Sequence, residues 1–134
     1  KNPQPALGQV SSLWMGLDAA TKPGVQGALV TLVDIPLVQP STVRQVIEVW
    51  AQNRAPIVRP AIGNRHGHPV LFDRVLFDEL RRAPQRVGAK AVVRAHEREI
   101  VNVQVSDEGC VVDLDTPLDY ERYLKRNLSP PQNW

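Results

Sequence analysis

The chain has 134 residues, of which 43% are hydrophobic and 22% are charged, with a net charge of +2 and one cysteine, Cys110. This balance predicts one folded domain with one modest core and excludes extensive disorder. The weak net charge argues against nucleic-acid binding, and no apolar run is long enough to span a membrane. A single cysteine excludes an internal disulfide, so we expect Cys110 to be a core residue of a cytoplasmic protein.

The first half of the chain predicts a helix, a strand and a second helix. A helix over residues 10–20 is predicted by apolar residues at helical spacing, which are Val10, Leu13, Trp14 and Leu17. Residues 27–33 form a nearly continuous apolar run, which predicts a strand buried on both faces, as in a parallel sheet. Asp34 follows this strand, and Ser41 is a candidate N-cap for the next helix.

The second half predicts shorter elements separated by polar turns. They are a strand over residues 56–60, a polar loop over 63–69, a helical stripe over 72–80 with Asp73 as a candidate cap, a helix over 88–95, a half-exposed strand over 100–105, and a strand over 110–114. Thr116 and Asp119 flank Pro117 in a capping-box arrangement, which predicts the start of the last helix.

Helices that alternate with apolar strands predict an α/β fold in which the ligand lies beyond the carboxyl ends of the strands. Acidic residues follow two of the predicted strands: Asp34 follows one, while Asp113 and Asp115 lie at the end of the other. Mg²⁺ binds a few carboxylate oxygens together with substrate phosphates, so these residues are a candidate metal site. A single Asp at a strand end is also a common loop or capping residue, and both interpretations stay open.

Residues 64–69 form the most unusual polar stretch, with an arginine, two histidines and a glycine. These side chains suit an anionic ligand, and the two imidazoles also suit a transition metal, although two histidines alone are a weak metal signal. Ser11 and Ser12 open the first helix, where free N–H groups favour an anion or the edge of a base. Helix capping alone explains these serines equally well.

Four segments, in order, resemble the molybdenum cofactor nucleotidyltransferases, and the cytidylyltransferase branch above all. They are Gly-Gln-Val-Ser-Ser-Leu-Trp-Met-Gly-Leu at residues 8–17, Leu-Val-Asp-Ile-Pro-Leu-Val at 32–38, Arg-His-Gly-His-Pro-Val-Leu-Phe at 65–72 and Val-Asp-Leu-Asp-Thr-Pro-Leu-Asp-Tyr at 112–120. The ordered set is more specific than any one of its members. The likeness covers nearly the whole chain.

The resemblance implies a Rossmann-like, three-layer nucleotidyltransferase fold with a mostly parallel sheet. It implies Mg²⁺ as cofactor, CTP as nucleotide donor with GTP as the second choice, molybdopterin as acceptor, and a molybdoenzyme as a further partner. The implied catalytic and metal-binding residues are Asp34, Asp113 and Asp115. Ser11, Ser12 and Asp34 are implied to bind the nucleotide, and Gly67, His68 and Pro69 to line the acceptor side.

The chain resembles only about the C-terminal two-thirds of the family's domain. The first strand and the glycine-rich loop that wraps the triphosphate have no counterpart in residues 1–128, and residues 129–134 are expected to be a flexible tail. We therefore expect an exposed sheet edge and self-association through it. Three hypotheses remain: a cytidylyltransferase, an inactive remnant that binds a cofactor or a protein, and a nucleotidyltransferase acting on another phosphorylated small molecule.

Overall fold

Helices and strands alternate along residues 2–127, the part of the chain that this computed structural model describes. The α-helices are α1 (Gln9–Ala20), α2 (Pro40–Asn53), α3 (Phe77–Arg82), α4 (Ala89–Ala95) and α5 (Pro117–Asn127). The strands are β1 (Gly27–Val30), β2 (Ile57–Ile62), β3 (Arg65–His66), β4 (Val70–Asp73) and β5 (Ile100–Gln104). The expected α/β architecture is confirmed.

The sheet is mixed, with strand order β1-β4-β2 and β5 on the far side of β2. Strands β1, β2 and β5 run in one direction, but β4 lies antiparallel between β1 and β2. The short strand β3 also pairs antiparallel with the end of β2. The expectation of a mostly parallel sheet is therefore wrong for the pairings, because β4 separates strands that would otherwise be parallel neighbours.

Strand β1 is shorter and more exposed than its apolar sequence predicts. It ends at Val30, Leu29 is 39% exposed, and Val33 beyond it is 97% exposed. Among residues 2–127, β1 pairs with β4 on one edge and with no strand on the other. Ala28 and Val30 pack against the core on one face, but Leu29 on the other face is partly exposed, so the predicted burial on both faces is wrong.

Apolar side chains fill both faces of the sheet. On one face Ile57 and Phe72 pack with Leu17 of α1, Leu80 of α3 and Val92 of α4. On the other face, which α2 covers, the buried residues are Val46, Ala55, Val58 and Leu71. Neighbouring residues of β2 thus point into different clusters, as the alternation of strand side chains requires.

Helix α1 and the half-exposed strand β5 confirm the predicted elements, and three other local predictions need correction. Residues 72–80 form the end of β4, a 3₁₀ turn and α3, rather than one helix; Asp73 caps the turn by accepting the Val75 N–H at 3.1 Å. Residues 110–114 are not a strand, since a 3₁₀ turn ends at Cys110. Ser41 is not the N-cap of α2, because Gln39 holds that position.

Two further predictions concern the C-terminal part of the chain. The capping box that opens α5 is confirmed, because the Thr116 hydroxyl donates to Asp119 Oδ2 at 2.7 Å and the Asp119 N–H donates back at 3.2 Å. The proposed tail, residues 129–134, lies outside the described residues.

None of the helices described for residues 2–127 has the length and apolar content needed to cross a membrane.

Candidate functional site

Asp34 lies in the loop that follows β1, and one of its carboxylate oxygens is left without a partner. Oδ1 is the one buried side-chain polar atom in residues 2–127 that makes no hydrogen bond. A buried polar atom in this condition costs roughly 1–3 kcal/mol unless a water, an ion or a ligand completes the contact. The backbone of Asp34 is fixed separately, because its carbonyl accepts the Leu114 N–H at 2.8 Å.

This backbone hydrogen bond brings two of the sequence-predicted stretches together. Leu114 lies between Asp113 and Asp115, so the loop after β1 meets the segment that precedes α5. Asp113 and Asp115 are both exposed. The Thr116 hydroxyl and, to a smaller extent, the Thr116 N–H donate to the Asp119 carboxylate and lower the pKa of Asp119.

His68 lies within electrostatic range of both acidic stretches. Burial is the largest influence and lowers the pKa of His68 below its usual value, and the positive charge of Arg59 acts in the same direction. The carboxylates of Asp113 and Asp34 act in the opposite direction and raise that pKa. The imidazole is therefore neutral at neutral pH, with one nitrogen that donates a hydrogen bond and one that accepts.

The backbone around His68 is held by close packing of two loops. The Gly67 N–H donates to the Pro60 carbonyl, and the His68 N–H donates to the Cys110 carbonyl, each at 2.8 Å. A Cβ on residue 67 would lie 2.5 Å from the Cys110 carbonyl oxygen and 2.7 Å from its Sγ, so this position requires glycine. Cys110 is fully buried, as the sequence predicted.

Pro69 lies beside the loop that follows β1. The His68–Pro69 peptide bond is cis. Pro69 lines an apolar hollow of about 350 Å³ with residues of β1, the following loop and α2, which are Leu29, Thr31, Leu32, Ile35, Pro36, Val38 and Val43. Asp113 lies instead at a second cavity, of about 580 Å³, whose wall includes Leu37, Asp107, Arg122 and Tyr123.

Ser11 and Ser12 are occupied by local contacts rather than by contacts with the aspartates. The Ser11 hydroxyl donates to the Gly8 carbonyl at 2.7 Å and accepts from Asn2 Nδ2 at 2.8 Å. The exposed Ser12 hydroxyl accepts from Asn2 at 3.0 Å. The N-cap of α1 is Gly8, so neither serine is the capping residue.

Within residues 2–127, no three histidine, cysteine, aspartate or glutamate side chains are grouped closely enough to hold a metal ion by themselves. The two histidines of residues 64–69 therefore do not form a transition-metal centre of that kind. Mg²⁺ uses a partial set of carboxylate ligands when substrate phosphates supply further oxygens, and Asp34 and Asp113 are the candidates for such a set. The buried unpartnered oxygen of Asp34 fits such a cation.

Two residues near the site have roles that the sequence analysis missed. Asp107 is buried, and its carboxylate accepts from the Gln39 N–H at 2.8 Å and the Thr42 hydroxyl at 2.7 Å, which fixes the start of α2. Arg59 lies on β2 and acts on His68. No local sequence pattern pointed to either tertiary contact.

Comparison with known proteins gives a consistent family of matches. The model of the MobA-like NTP transferase domain matches residues 1–100. The crystal structure of Rv0371c from Mycobacterium tuberculosis is similar with a TM-score of 0.72 and 32% identity, over 87% of this chain and 59% of that one. A structure of Rv0371c in complex with manganese gives a TM-score of 0.63 and 30% identity, over 85% of this chain and 59% of that one.

Molybdopterin-guanine dinucleotide biosynthesis protein A from Archaeoglobus fulgidus shares the fold, with a TM-score of 0.65 and 19% identity over 89% of this chain and 62% of that one. No protein of the curated set matches the chain. The chain therefore spans between 59% and 62% of the length of these three solved structures.

Proposed function

The chain belongs to the MobA-like NTP transferase domain family, and on that premise we propose that it transfers a nucleotide, CMP from CTP, to molybdopterin with release of pyrophosphate. The observation that carries the proposal is the buried, unpartnered carboxylate oxygen of Asp34 beside the segment that holds Asp113. The likeness to a protein named for molybdopterin-guanine dinucleotide biosynthesis supports the acceptor class. GTP is the alternative donor, and a molybdoenzyme is the proposed recipient of the product.

Asp34 is the proposed principal ligand of a divalent cation, for which we expect Mg²⁺. A similar structure was obtained in complex with manganese, which has the same preference for oxygen ligands. When bound, the cation neutralises charge on the phosphates and on the leaving pyrophosphate. Asp113 is the proposed second carboxylate because it acts on His68 together with Asp34, and Asp115 remains a candidate in the same segment.

Gly67, His68 and Pro69 are the proposed acceptor side of the site. The neutral imidazole of His68 donates and accepts hydrogen bonds without adding charge beside the carboxylates. The close approach of Gly67 to Cys110 fixes the backbone on which His68 is carried. Binding and orientation by these groups bring the acceptor phosphate into line with the α-phosphate, so catalysis rests on positioning and electrostatics.

Ser11 and Ser12 are the proposed contacts for the nucleotide base. The Ser11 hydroxyl already donates to a backbone carbonyl, so Ser12, which only accepts in residues 2–127, is the better donor to a base. Ser12→Ala is expected to weaken nucleotide affinity more than Ser11→Ala weakens it. Equal losses in both variants, measured by equilibrium binding of CTP, would contradict this assignment.

The test of the proposed function compares CTP and GTP as donors with molybdopterin and Mg²⁺, and measures pyrophosphate release. Asp34→Ala is expected to lower the rate of transfer at least about a hundredfold, because it removes the principal contact to the cation. The matched control is Asp18→Ala, which removes an exposed carboxylate from α1 whose partner is Arg81. Retained turnover in Asp34→Ala would remove this residue from the mechanism.

Metal binding gives a second measurement that does not depend on turnover. Titration with Mn²⁺ in the presence of CTP, followed by electron paramagnetic resonance, is expected to show weaker binding in Asp34→Ala than in Asp18→Ala. Normal Mn²⁺ binding together with no transfer in the unaltered protein would favour an inactive, cofactor-binding module. Transfer to a different phosphorylated compound would favour the third hypothesis.

We further propose that the chain self-associates through the open edge of β1. The Arg74 N–H donates to the Gln26 carbonyl, so alternate residues face β4, and the backbone groups of Gly27 and Leu29 face the unpaired edge. Residues 24–33 contain no charged residue and no proline, the usual protection of an edge strand. Leu29→Lys is expected to give a monomer by light scattering, whereas Leu118→Lys, an exposed site elsewhere, is not; a monomeric unaltered protein would refute the proposal.

A further inference from the structure

A polar patch lies at the carboxyl ends of β2 and β5. It is on the face of the sheet that α1, α3 and α4 cover near the start of these strands. Arg59 pairs in register with Asn102, and Ala61 pairs with His66 of β3, so these side chains share one face. On the same face Ile57, two residues before Arg59, is fully buried. The face therefore changes from apolar to polar at Arg59, toward the carboxyl ends of two parallel strands, where α/β folds bind ligands.

The guanidinium of Arg59 is held in place but is not neutralised. Its Nε donates to Asn102 Oδ1 at 2.9 Å, which orients the planar group. In residues 2–127 its terminal nitrogens have no protein partner, and no carboxylate forms an ion pair with it. Glu97 acts on Arg59 from a greater distance and favours its charged form.

The surroundings leave Arg59 short of counter-charge. Partial burial is the main influence that lowers the pKa of Arg59, although the group stays protonated. Its charge in turn lowers the pKa of His66 and of His68, after the larger effect of burial on each. An oriented, partly desolvated guanidinium with two free terminal nitrogens beside a neutral imidazole suits a planar, bidentate oxyanion.

We propose that Arg59, with Asn102 as its positioning residue and His66 as a further donor, forms an anion subsite that takes a phosphate monoester. The assignment of this phosphate to the acceptor rests on the proposed function, but the existence of the subsite does not. Arginine recognises phosphate through paired N–H donors, whereas lysine offers only a point charge. The subsite would make a phosphorylated acceptor preferable to an unphosphorylated one.

The test measures binding of glycerol 3-phosphate and of inorganic phosphate without nucleotide or metal, by the NMR shift of the Arg59 Nε–Hε signal and of the His66 ring. In the variants, the His66 ring signals report the affinity. Arg59→Gln is expected to weaken binding at least about tenfold, and Arg59→Lys to retain part of the affinity. Arg94→Gln, which removes the same charge from an exposed position on α4, is the matched control and is expected to change the affinity less than about twofold.

Three outcomes overturn the proposal: no saturable binding by the unaltered protein, equal affinity in Arg59→Gln, and an equal loss in Arg94→Gln. Displacement of glycerol 3-phosphate by CTP with the same dependence on Arg59 would overturn the assignment to the acceptor and would assign the anion to the nucleotide. Urea unfolding of each variant checks the fold, and Arg59→Lys carries the comparison if Arg59→Gln does not fold. If the unaltered protein binds glycerol 3-phosphate but transfers no nucleotide, the proposed function is disproved and the anion subsite is not.

Discussion

Two aspartates lie near the same end of the molecule, and they differ in what satisfies their oxygens. Both oxygens of Asp107 are used: Oδ2 accepts from Gln39 and Thr42, and Oδ1 accepts from the Gly109 N–H at 3.0 Å. Asp34 has a buried oxygen with no partner. Donors within the protein satisfy the Asp107 carboxylate, whereas no group of the protein donates to Asp34 Oδ1.

The difference separates a structural role from a binding role more clearly than burial or charge does. Both residues follow β-strands, and both are acidic residues in loops. A satisfied carboxylate stabilises the fold by ordering the groups that donate to it, whereas an unsatisfied one costs free energy in the absence of a ligand. The variants below test whether the two regions separate in this way.

The largest effect on stability is expected from Asp107→Ala. The substitution leaves the Gln39 and Gly109 N–H groups and the Thr42 hydroxyl without an acceptor, so the free energy of unfolding should fall by about 3 kcal/mol. Urea unfolding measures the change. Asp18→Ala is the control, and its exposed ion pair with Arg81 should contribute less than about 1 kcal/mol. Equal losses in the two variants would refute the structural role of Asp107.

The loop that carries His68 is expected to be the next most sensitive region. Gly67→Ala places a Cβ 2.5 Å from the Cys110 carbonyl and should lower the free energy of unfolding by about 2 kcal/mol. Gly16→Ala is the matched control, because its Cβ meets no atom within 4 Å and α1 favours alanine. A Gly67→Ala protein as stable as Gly16→Ala would show that the contact with Cys110 relaxes without cost.

His96 provides a third arrangement, in which two carboxylates form hydrogen bonds with a titratable imidazole. Hydrogen bonds from its ring to Glu79 and then Glu99 raise the pKa of His96 above 6.5. The stabilisation is therefore fully present below pH 6.5 and is lost as the pH rises through the folded-state value. Because the glutamates are solvent-exposed, the change in unfolding free energy should be below about 1 kcal/mol. Urea unfolding at several pH values should show it, and His96→Gln should abolish it.

The smallest effect on stability is expected from Asp34→Ala. Removing the unpartnered oxygen should either lower the free energy of unfolding by no more than about 0.5 kcal/mol or raise it. The same variant should lose transfer activity, as proposed above. A loss of stability comparable with that of Asp107→Ala, measured by urea unfolding, would give both aspartates the same structural role.

Local sequence patterns predicted the elements whose cause is local. The spacing around Leu17 predicted α1, the alternation after Ile100 predicted β5, and the Thr116–Asp119 pair predicted the start of α5. Each pattern depends on residues within a few positions of one another, where helical or strand periodicity acts directly. The family motifs likewise located the stretches that hold Asp34 and His68.

Only the tertiary structure decided which neighbours these elements have. The apolar run that begins at Gly27 reads as a buried strand, but the strand lies at the sheet edge, and Leu29 is partly exposed. The contact of Asp107 with Thr42 joins residues 65 positions apart, beyond the reach of any local pattern. Whether a carboxylate is satisfied depends on such distant donors, so the sequence determined which aspartates lie in loops, and the packing decided that, within residues 2–127, Asp34 has a buried oxygen without a partner.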